Sequence, residues 1–171
     1  TDKIPNWKTT KAIDKIKEII QKHRFEKGVI HTSSNEHAWW IKNQLNSKNI
    51  WVVQGQSRAK TIEFFEKSKK PVVLVGAGIK DGVDFKGDKC RFQILFKMPK
   101  PSIASTQTII RAKKDPVWYA YQTVMPLMQS YGRGIRDESD YCITYVLDSE
   151  FDNLLTNHRD LFNAYFLEAI Q

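Results

Sequence analysis

The chain has 171 residues, 41% of them hydrophobic and 12% aromatic, which is enough for one well-packed domain and short for two. Its 27 Lys and Arg against 19 Asp and Glu give a formal charge of +8, which favours a polyanionic partner such as nucleic acid over a merely soluble basic surface. Two cysteines without CxxC spacing argue against a disulfide framework or a zinc site, and no apolar run approaches the ~20 residues of a membrane span. We expect a soluble cytoplasmic protein, or a nuclear one in a eukaryote.

Short apolar runs rich in β-branched and aromatic residues predict five strands, in chain order 28–32, 50–53, 71–75, 91–96 and 141–147. Helical patterns precede, separate and follow them, at 9–24, 33–45, around 62–65, after 115 and in the tail 153–170. This alternation is typical of a parallel sheet with helices on both faces. The expected fold class is therefore α/β, a three-layer domain with a mostly parallel central sheet flanked by helices.

Local signals predict where several helices begin or end. Ser33 and Glu36 have the spacing of a capping box that opens the second helix. Asp115-Pro116 opens a later helix, because Asp caps and Pro is tolerated in the first turn, whereas Pro126 is expected to kink or break it. Residues 97–114 contain proline and are weakly periodic at first, which predicts a loop followed by a helix.

Ligands of parallel α/β sheets gather at the carboxyl ends of the strands, where loops leave backbone N–H groups free. The first strand ends in Thr32, Ser33 and Ser34, a hydroxyl-rich turn that leads into a helix N-terminus. Such a turn either binds a phosphate group or simply caps the helix, and capping is the commoner role.

The loop after the third strand is rich in glycine and acidic residues. Gly76, Gly78 and Gly82 allow close approach of the backbone to a ligand. Asp81 and Asp84 supply carboxylates that suit a ribose, a cation or a neighbouring arginine. The loop is therefore a candidate binding element.

Two familiar nucleotide-binding patterns fail in this region. Asp81 stands where a dinucleotide fingerprint begun by Gly76 needs its third glycine. Asp88 stands where a P-loop begun by Gly82 needs its lysine, and a carboxylate there repels a β-phosphate. The chain has no obvious nucleotide cradle of its own.

Residues 129–136 read Gln-Ser-Tyr-Gly-Arg-Gly-Ile-Arg. If they are helical, Gln129, Arg133 and Arg136 project from one face. Arginine is permanently charged and its planar fork matches phosphate oxygens, so the pair suits a polyphosphate whose charge grows in a transition state. The alternative is a solvated basic helix end offset by the acidic residues that follow.

Further basic and aromatic residues are candidates for nucleic-acid contact. Lys97 and Arg111 belong to a basic region that either tracks a DNA backbone or is a solvated loop. Trp39, Trp40 and Trp51 could stack on bases, but core or interface packing is the commoner role. Trp39 and Trp40 are adjacent on a helix, so at most one of them is expected to face the core.

Three stretches, in this order and spacing, resemble motifs IV, V and VI of superfamily-2 helicases: 29–34, 75–85 and 129–136. They look like the XPD/DinG branch, whose last motifs run as acidic residue, Gly, hydrophobic, Asp, and as Gln-x-x-Gly-Arg-x-x-Arg. The resemblance spans residues 28–151, and its last octet is the most specific part. His31 and Asp81 depart from the usual residues of the branch, without disabling either motif.

The resemblance implies that residues 1–171 form one RecA-like domain, the second motor domain of an ATP-dependent DNA helicase and a fragment of a longer protein. In this family ATP and Mg²⁺ bind between two motor domains, mainly to the first one, so this fragment alone is expected to be inactive. Arg133 and Arg136 would reach the γ-phosphate as catalytic residues, with Gln129 aligning the site. Asp81, Gly82 and Asp84 would contact the nucleotide and couple it to DNA.

The expected partners are single-stranded DNA and the N-terminal motor domain of the same helicase. The resemblance assigns contacts with DNA phosphates to Thr32, Ser33 and the loop from Gly76 to Gly78. Ser34 from the hydroxyl-rich turn, and Lys97 and Arg111 from the basic region, are the further candidate nucleic-acid contacts. The resemblance assigns no metal ligand to the fragment, and the family's iron–sulfur cysteines lie in the first motor half, so no cluster is expected here. The alternative is a free-standing nucleic-acid-binding α/β module without ATPase activity.

Overall fold

The computed structural model describes residues 9–79, 85, 87–102, 104–131 and 140–170. They form two compact units. The first unit contains the described residues of Thr1–Phe96 and Gly134–Leu147, and the second contains those of Lys97–Arg133 and Asp148–Gln171. Within the described ranges, no helix is long and apolar enough to cross a membrane.

The first unit contains a five-stranded sheet in which every paired neighbour is parallel. The strands are β1 (Gly28–Thr32), β2 (Ile50–Val52), β3 (Val73–Ala77), β4 (Phe92–Leu95) and β5 (Ile143–Val146), in the order β2-β3-β1-β4-β5. Four of them lie within predicted apolar runs, and β3 overlaps its run 71–75 but extends two residues further, to Ala77, so the five strands are confirmed with one shifted boundary. Because the strands are parallel, all their carboxyl ends lie along one edge of the sheet.

Three helices cover the two faces of this sheet: α1 (Thr10–Lys22), α2 (Asn35–Leu45) and α3 (Arg58–Lys67). On one face, α1 and α2 pack with the strand residues Ile30, Val75 and Ile94. On the other face, Phe65 of α3 packs with Val29 and Leu74. Successive strand residues point to opposite faces, so the apolar runs are buried on both sides.

The start of α2 differs by one residue from the predicted capping box. Its N-cap is Ser34, whose hydroxyl accepts from the N–H of His37 at 3.2 Å. The predicted cap at Ser33 is wrong, because Thr32 still belongs to β1 and donates its hydroxyl to the Ser34 carbonyl at 2.9 Å. Glu36 then falls one position short of the place from which a capping-box carboxylate reaches back.

The second unit is helical, with α4 (Thr106–Lys114), α5 (Pro116–Tyr131), α6 (Glu150–Asn157) and α7 (Ala164–Glu168). Asp115 caps α5 as predicted, since its carboxylate accepts from the Trp118 N–H at 2.8 Å. The expected break at Pro126 is wrong, because α5 continues to Tyr131. Buried Val124 and Leu127 hold the helix on both sides of the proline, whose missing N–H removes one hydrogen bond.

An aromatic cluster anchors the end of α5 within the second unit. The Tyr131 ring lies 5.1 Å from that of Phe166, which in turn stacks on Phe162 at 5.3 Å. Phe151 meets both phenylalanines edge-on, at 6.3 and 6.2 Å. Two helices, α6 and α7, therefore close the chain, where one or two were expected, and their aromatic residues hold the end of α5 at Tyr131.

Candidate functional site

The carboxyl edge of the sheet brings two of the predicted loops together. β1 and β3 are neighbours, and Thr32 is in register with Ala77. The hydroxyl-rich turn after β1 therefore lies beside the glycine-rich loop after β3. Thr32 is buried and Ser34 caps α2, whereas Ser33 is exposed, with its hydroxyl 3.0 Å from His37 Nδ1. Of the three hydroxyl residues, Ser33 is the one presented to solvent.

The two described glycines of the loop play different structural roles. Gly76 is buried, and a Cβ there would lie 2.8 Å from the Val53 carbonyl oxygen, so close packing of the sheet already requires glycine. Gly78 is exposed and has φ of 62°, a conformation that L side chains rarely adopt. Gly78 therefore presents its backbone at the surface, while Gly76 supports the sheet beneath it.

Arg58 is a residue of this edge that sequence reasoning missed. It is the first residue of α3, and its guanidinium donates to the Gly78 carbonyl at 2.7 Å and to that of Ala77 at 3.4 Å. A cation opposes the dipole at a helix N-terminus, so its place is not explained by helix stability. The signal was available, because Arg58 follows β2, and β2 ends at the same edge as β3.

Trp39 and Trp40 have separate environments, as expected for adjacent helix residues. Trp40 is half-buried against the core cluster, 6.0 Å from the Phe96 ring. Trp39 is 43% exposed and donates its indole N–H to Gln54 Oε1 at 2.8 Å. Trp51 is half-buried and bonds the Lys48 carbonyl. Trp39 is thus the exposed indole of the three.

The predicted nucleotide-site residues fall mostly outside the part that the structure describes. Asp81, Gly82, Asp84, Arg133 and Arg136 all lie outside the described residues. Gln129 is described, and it is exposed in the last turns of α5. The helical start of the 129–136 octet agrees with the prediction as far as Tyr131.

The basic region of the second unit contains one lysine that is already paired within the protein and one arginine that is exposed to solvent. Lys97 Nζ lies 3.4 Å from a carboxylate oxygen of Asp148, so this lysine is already paired. Arg111 is exposed and its guanidinium lies 4.2 Å above the Trp118 ring centre. This stacking orients the Arg111 side chain while leaving the cation in solvent. Arg111 is therefore better placed than Lys97 for an external anion.

A network of charged groups lies at the opposite, amino edge of the sheet. Arg91 donates to Asp140 at 2.5 Å and to Asp88 at 2.6 Å, and Tyr141 donates to Glu26 at 2.6 Å. Burial raises the pKa of Glu26, but the hydrogen bonds from Tyr141 and the nearby His23 outweigh it, so that its pKa lies below the ordinary value. These groups satisfy one another and indicate a structural role.

A cavity of about 640 Å³ opens at this amino edge, lined by residues such as Lys69, Lys70 and Tyr141. It lies away from the loops that sequence reasoning identified. Among the described ranges, no group of three or more His, Cys, Asp or Glu residues is close enough to hold a metal ion. The predicted contacts to ATP other than Gln129 lie outside the described residues.

Comparisons with known proteins match this architecture. The helicase C-terminal domain family matches residues 11–166. Among curated relatives, the ATP-dependent DNA helicase CHL1 of Vanderwaltozyma polyspora is 26% identical over 128 residues, 61% of this chain and 15% of the relative. CHL1 of Candida glabrata is 28% identical over 98 residues, 47% of this chain and 12% of the relative. The chain therefore spans a small part of the length of these relatives.

Solved structures agree on the fold. Apo XPD superposes with a TM-score of 0.71 at 17% identity, covering 90% of this chain and 35% of that one. The C-terminal domain of the DEAD-box protein Dbp5 gives 0.61 at 15% identity, covering 95% and 82%. These similarities confirm the RecA-like fold, and the family match confirms the resemblance to the XPD/DinG type of superfamily-2 helicase. The chain belongs to the helicase C-terminal domain family.

Proposed function

We propose that this chain is the second motor domain of an ATP-dependent DNA helicase, acting in the cytoplasm or in the nucleus of a eukaryote. The observation that carries the proposal is the sequence of the octet 129–136, whose first three residues lie in α5, in a member of the helicase C-terminal domain family. The chain spans only 12 to 15% of the two CHL1 relatives, which supports assigning the proposed activity to a longer protein.

The proposed chemistry of the octet is electrostatic. Arg133 and Arg136 reach the γ-phosphate of ATP that is held mainly by a first motor domain, and Gln129 aligns the site. As charge spreads over the transferred phosphoryl oxygens, guanidinium groups fixed nearby stabilise the transition state more than the ground state. Mg²⁺ bound to the first domain neutralises further phosphate charge. An arginine supplied in this way is worth about 10³ to 10⁵ in rate.

The proposed DNA contact lies at the carboxyl edge of the sheet. Exposed Ser33 and the exposed turn at Gly78 offer backbone and hydroxyl groups suited to phosphate oxygens. Arg58 adds a cation at this edge. Asp81, Gly82 and Asp84 follow the same loop in sequence, which supports a role in coupling nucleotide state to the grip on single-stranded DNA.

The proposal is tested by Arg133→Ala and Arg136→Ala in a longer chain that includes the first motor domain. Each change should lower DNA-stimulated ATP hydrolysis by about 10³-fold or more, since each removes charge stabilisation of the transition state. Affinity for single-stranded DNA should stay unchanged. Arg159→Ala is the matched control, because Arg159 is an exposed arginine of the second unit outside the octet.

The opposite result would favour the alternative function, a nucleic-acid-binding module without ATPase activity. If the Arg133 and Arg136 variants hydrolyse ATP at the control rate but bind DNA more weakly, the octet is a nucleic-acid contact. The chain would then be a nucleic-acid-binding α/β module whose basic residues act without ATP.

A further inference from the structure

The Trp39 side chain is held in one orientation at the surface of the first unit. Its indole N–H donates to Gln54 Oε1 at 2.8 Å, while 43% of the residue stays exposed. The adjacent Trp40 supplies the contacts to the core. Trp39 therefore combines a fixed ring with an open surface, which packing of α2 alone does not require.

Trp39 is linked to the carboxyl edge of the sheet. Gln54 follows β2, the edge strand, and β2 ends beside β3. Four residues after Gln54, Arg58 donates to the Gly78 carbonyl in the loop after β3. The row therefore follows the carboxyl ends of three adjacent strands: Trp39 comes after β1, Gln54 and Arg58 after β2, and Gly78 after β3. The helices α2 and α3, on opposite faces of the sheet, both contribute to it.

The chemistry of this row suits a single strand of nucleic acid. An aromatic ring stacks on any base, because every base has a π-face, and a nearby cation attracts the phosphate backbone. Arg58 supplies that cation, and the net charge of +8 favours a polyanion over a neutral ligand. The hydrogen bond to Gln54 already restricts the indole, so the ring loses less conformational freedom when it stacks on a base.

We propose that Trp39 is a base-stacking platform for single-stranded DNA at the carboxyl end of β2, with Gln54 as the residue that positions its ring. This inference rests on the proposed helicase function and adds to it a named base contact. The competing occupant of the exposed indole is the first motor domain, whose packing there would make Trp39 an interface residue with no part in DNA affinity.

The test measures binding of a fluorescent oligothymidylate to the 171-residue chain by anisotropy. Trp39→Ala should raise the Kd about 5- to 100-fold, and Trp39→Phe should recover most of the loss because it keeps a stacking ring. Gln54→Leu should cause a smaller loss. Phe25→Ala is the matched control, since Phe25 is 81% exposed and borders the cavity at the amino edge.

A second oligonucleotide distinguishes stacking from a general change in structure. When abasic sites replace the bases, the loss caused by Trp39→Ala should vanish, because no base remains to stack. A Kd for oligothymidylate that is equal in wild type and Trp39→Ala overturns the platform while leaving DNA binding by the chain intact. A wild-type chain with no affinity for single-stranded DNA overturns both the platform and the proposed DNA grip.

Discussion

At the scale of single residues, Lys27 shows how this fold ends a helix with a buried cation. Its ammonium group donates to the carbonyls of Phe65 and Ser68 at 2.5 and 3.1 Å and lies 3.4 Å from that of Glu66. These carbonyls lie at or just beyond the carboxyl end of α3, where backbone partners are scarce, although the Ser68 N–H also reaches the Phe65 carbonyl at 3.2 Å. Burial lowers the pKa of Lys27, and the three carbonyls compensate the cation.

We predict that Lys27→Met lowers the free energy of unfolding by about 1–3 kcal/mol, because it removes the hydrogen bonds from the ammonium group to three carbonyls at the end of α3 while keeping the length of the side chain. Lys70→Met is the matched control, since Lys70 is exposed, and it should change stability by less than about 0.5 kcal/mol. Urea unfolding followed by circular dichroism measures both. Equal urea midpoints for the two variants would show that the hydrogen bonds of Lys27 to the end of α3 do not stabilise the fold.

Residue-level predictions succeeded where the signal is local. The Asp115 cap follows from two adjacent residues, and the structure confirms it. The start of α2 was misplaced by one residue because Thr32, Ser33 and Ser34 are all able caps, and only the length of β1 selects Ser34. Arg58 was missed although its position after a predicted strand was visible, because its bond to Gly78 requires β2 and β3 to be neighbours, which no local pattern records.

At the scale of elements, the strands follow from hydrophobicity and the sheet order does not. Runs such as 71–75 are buried on both faces, so they read as continuous apolar segments. The order β2-β3-β1-β4-β5 depends on how each crossover packs, which involves residues far apart in the chain. α5 shows the same limit, since tertiary burial of Val124 and Leu127 outweighs the local effect of Pro126.

The helix α4 carries a prediction at this scale, concerning its exposed basic face. Arg111→Ala should reduce the slope of log K for single-stranded DNA against log salt by about 1, because one phosphate contact and its released counterions are lost. Lys97→Ala should reduce it less, since Lys97 already pairs with Asp148. Anisotropy titrations over a range of salt concentrations measure both slopes. A larger change in the salt slope for Lys97→Ala than for Arg111→Ala would contradict this prediction.

At the scale of the whole molecule, the proposed function makes this chain one half of a nucleotide site. It contains the arginine-rich octet but no P-loop lysine, and within the described ranges no metal-binding cluster. The sequence indicates an incomplete site because the spacing of a P-loop motif is read directly from residue types, and Asp88 stands where its lysine would be. It could not predict the other half, because the groups that complete such a site belong to a different stretch of polypeptide.

ATP turnover with and without single-stranded DNA tests this central claim most directly, measured for three proteins. These are the 171-residue chain, the upstream motor half, and the two joined in one polypeptide. The account predicts DNA-stimulated hydrolysis in the joined protein and none in either half, because the arginines and the nucleotide-binding lysine then share one cleft. Hydrolysis by the 171-residue chain alone, or equal turnover by the upstream half without it, would contradict the account.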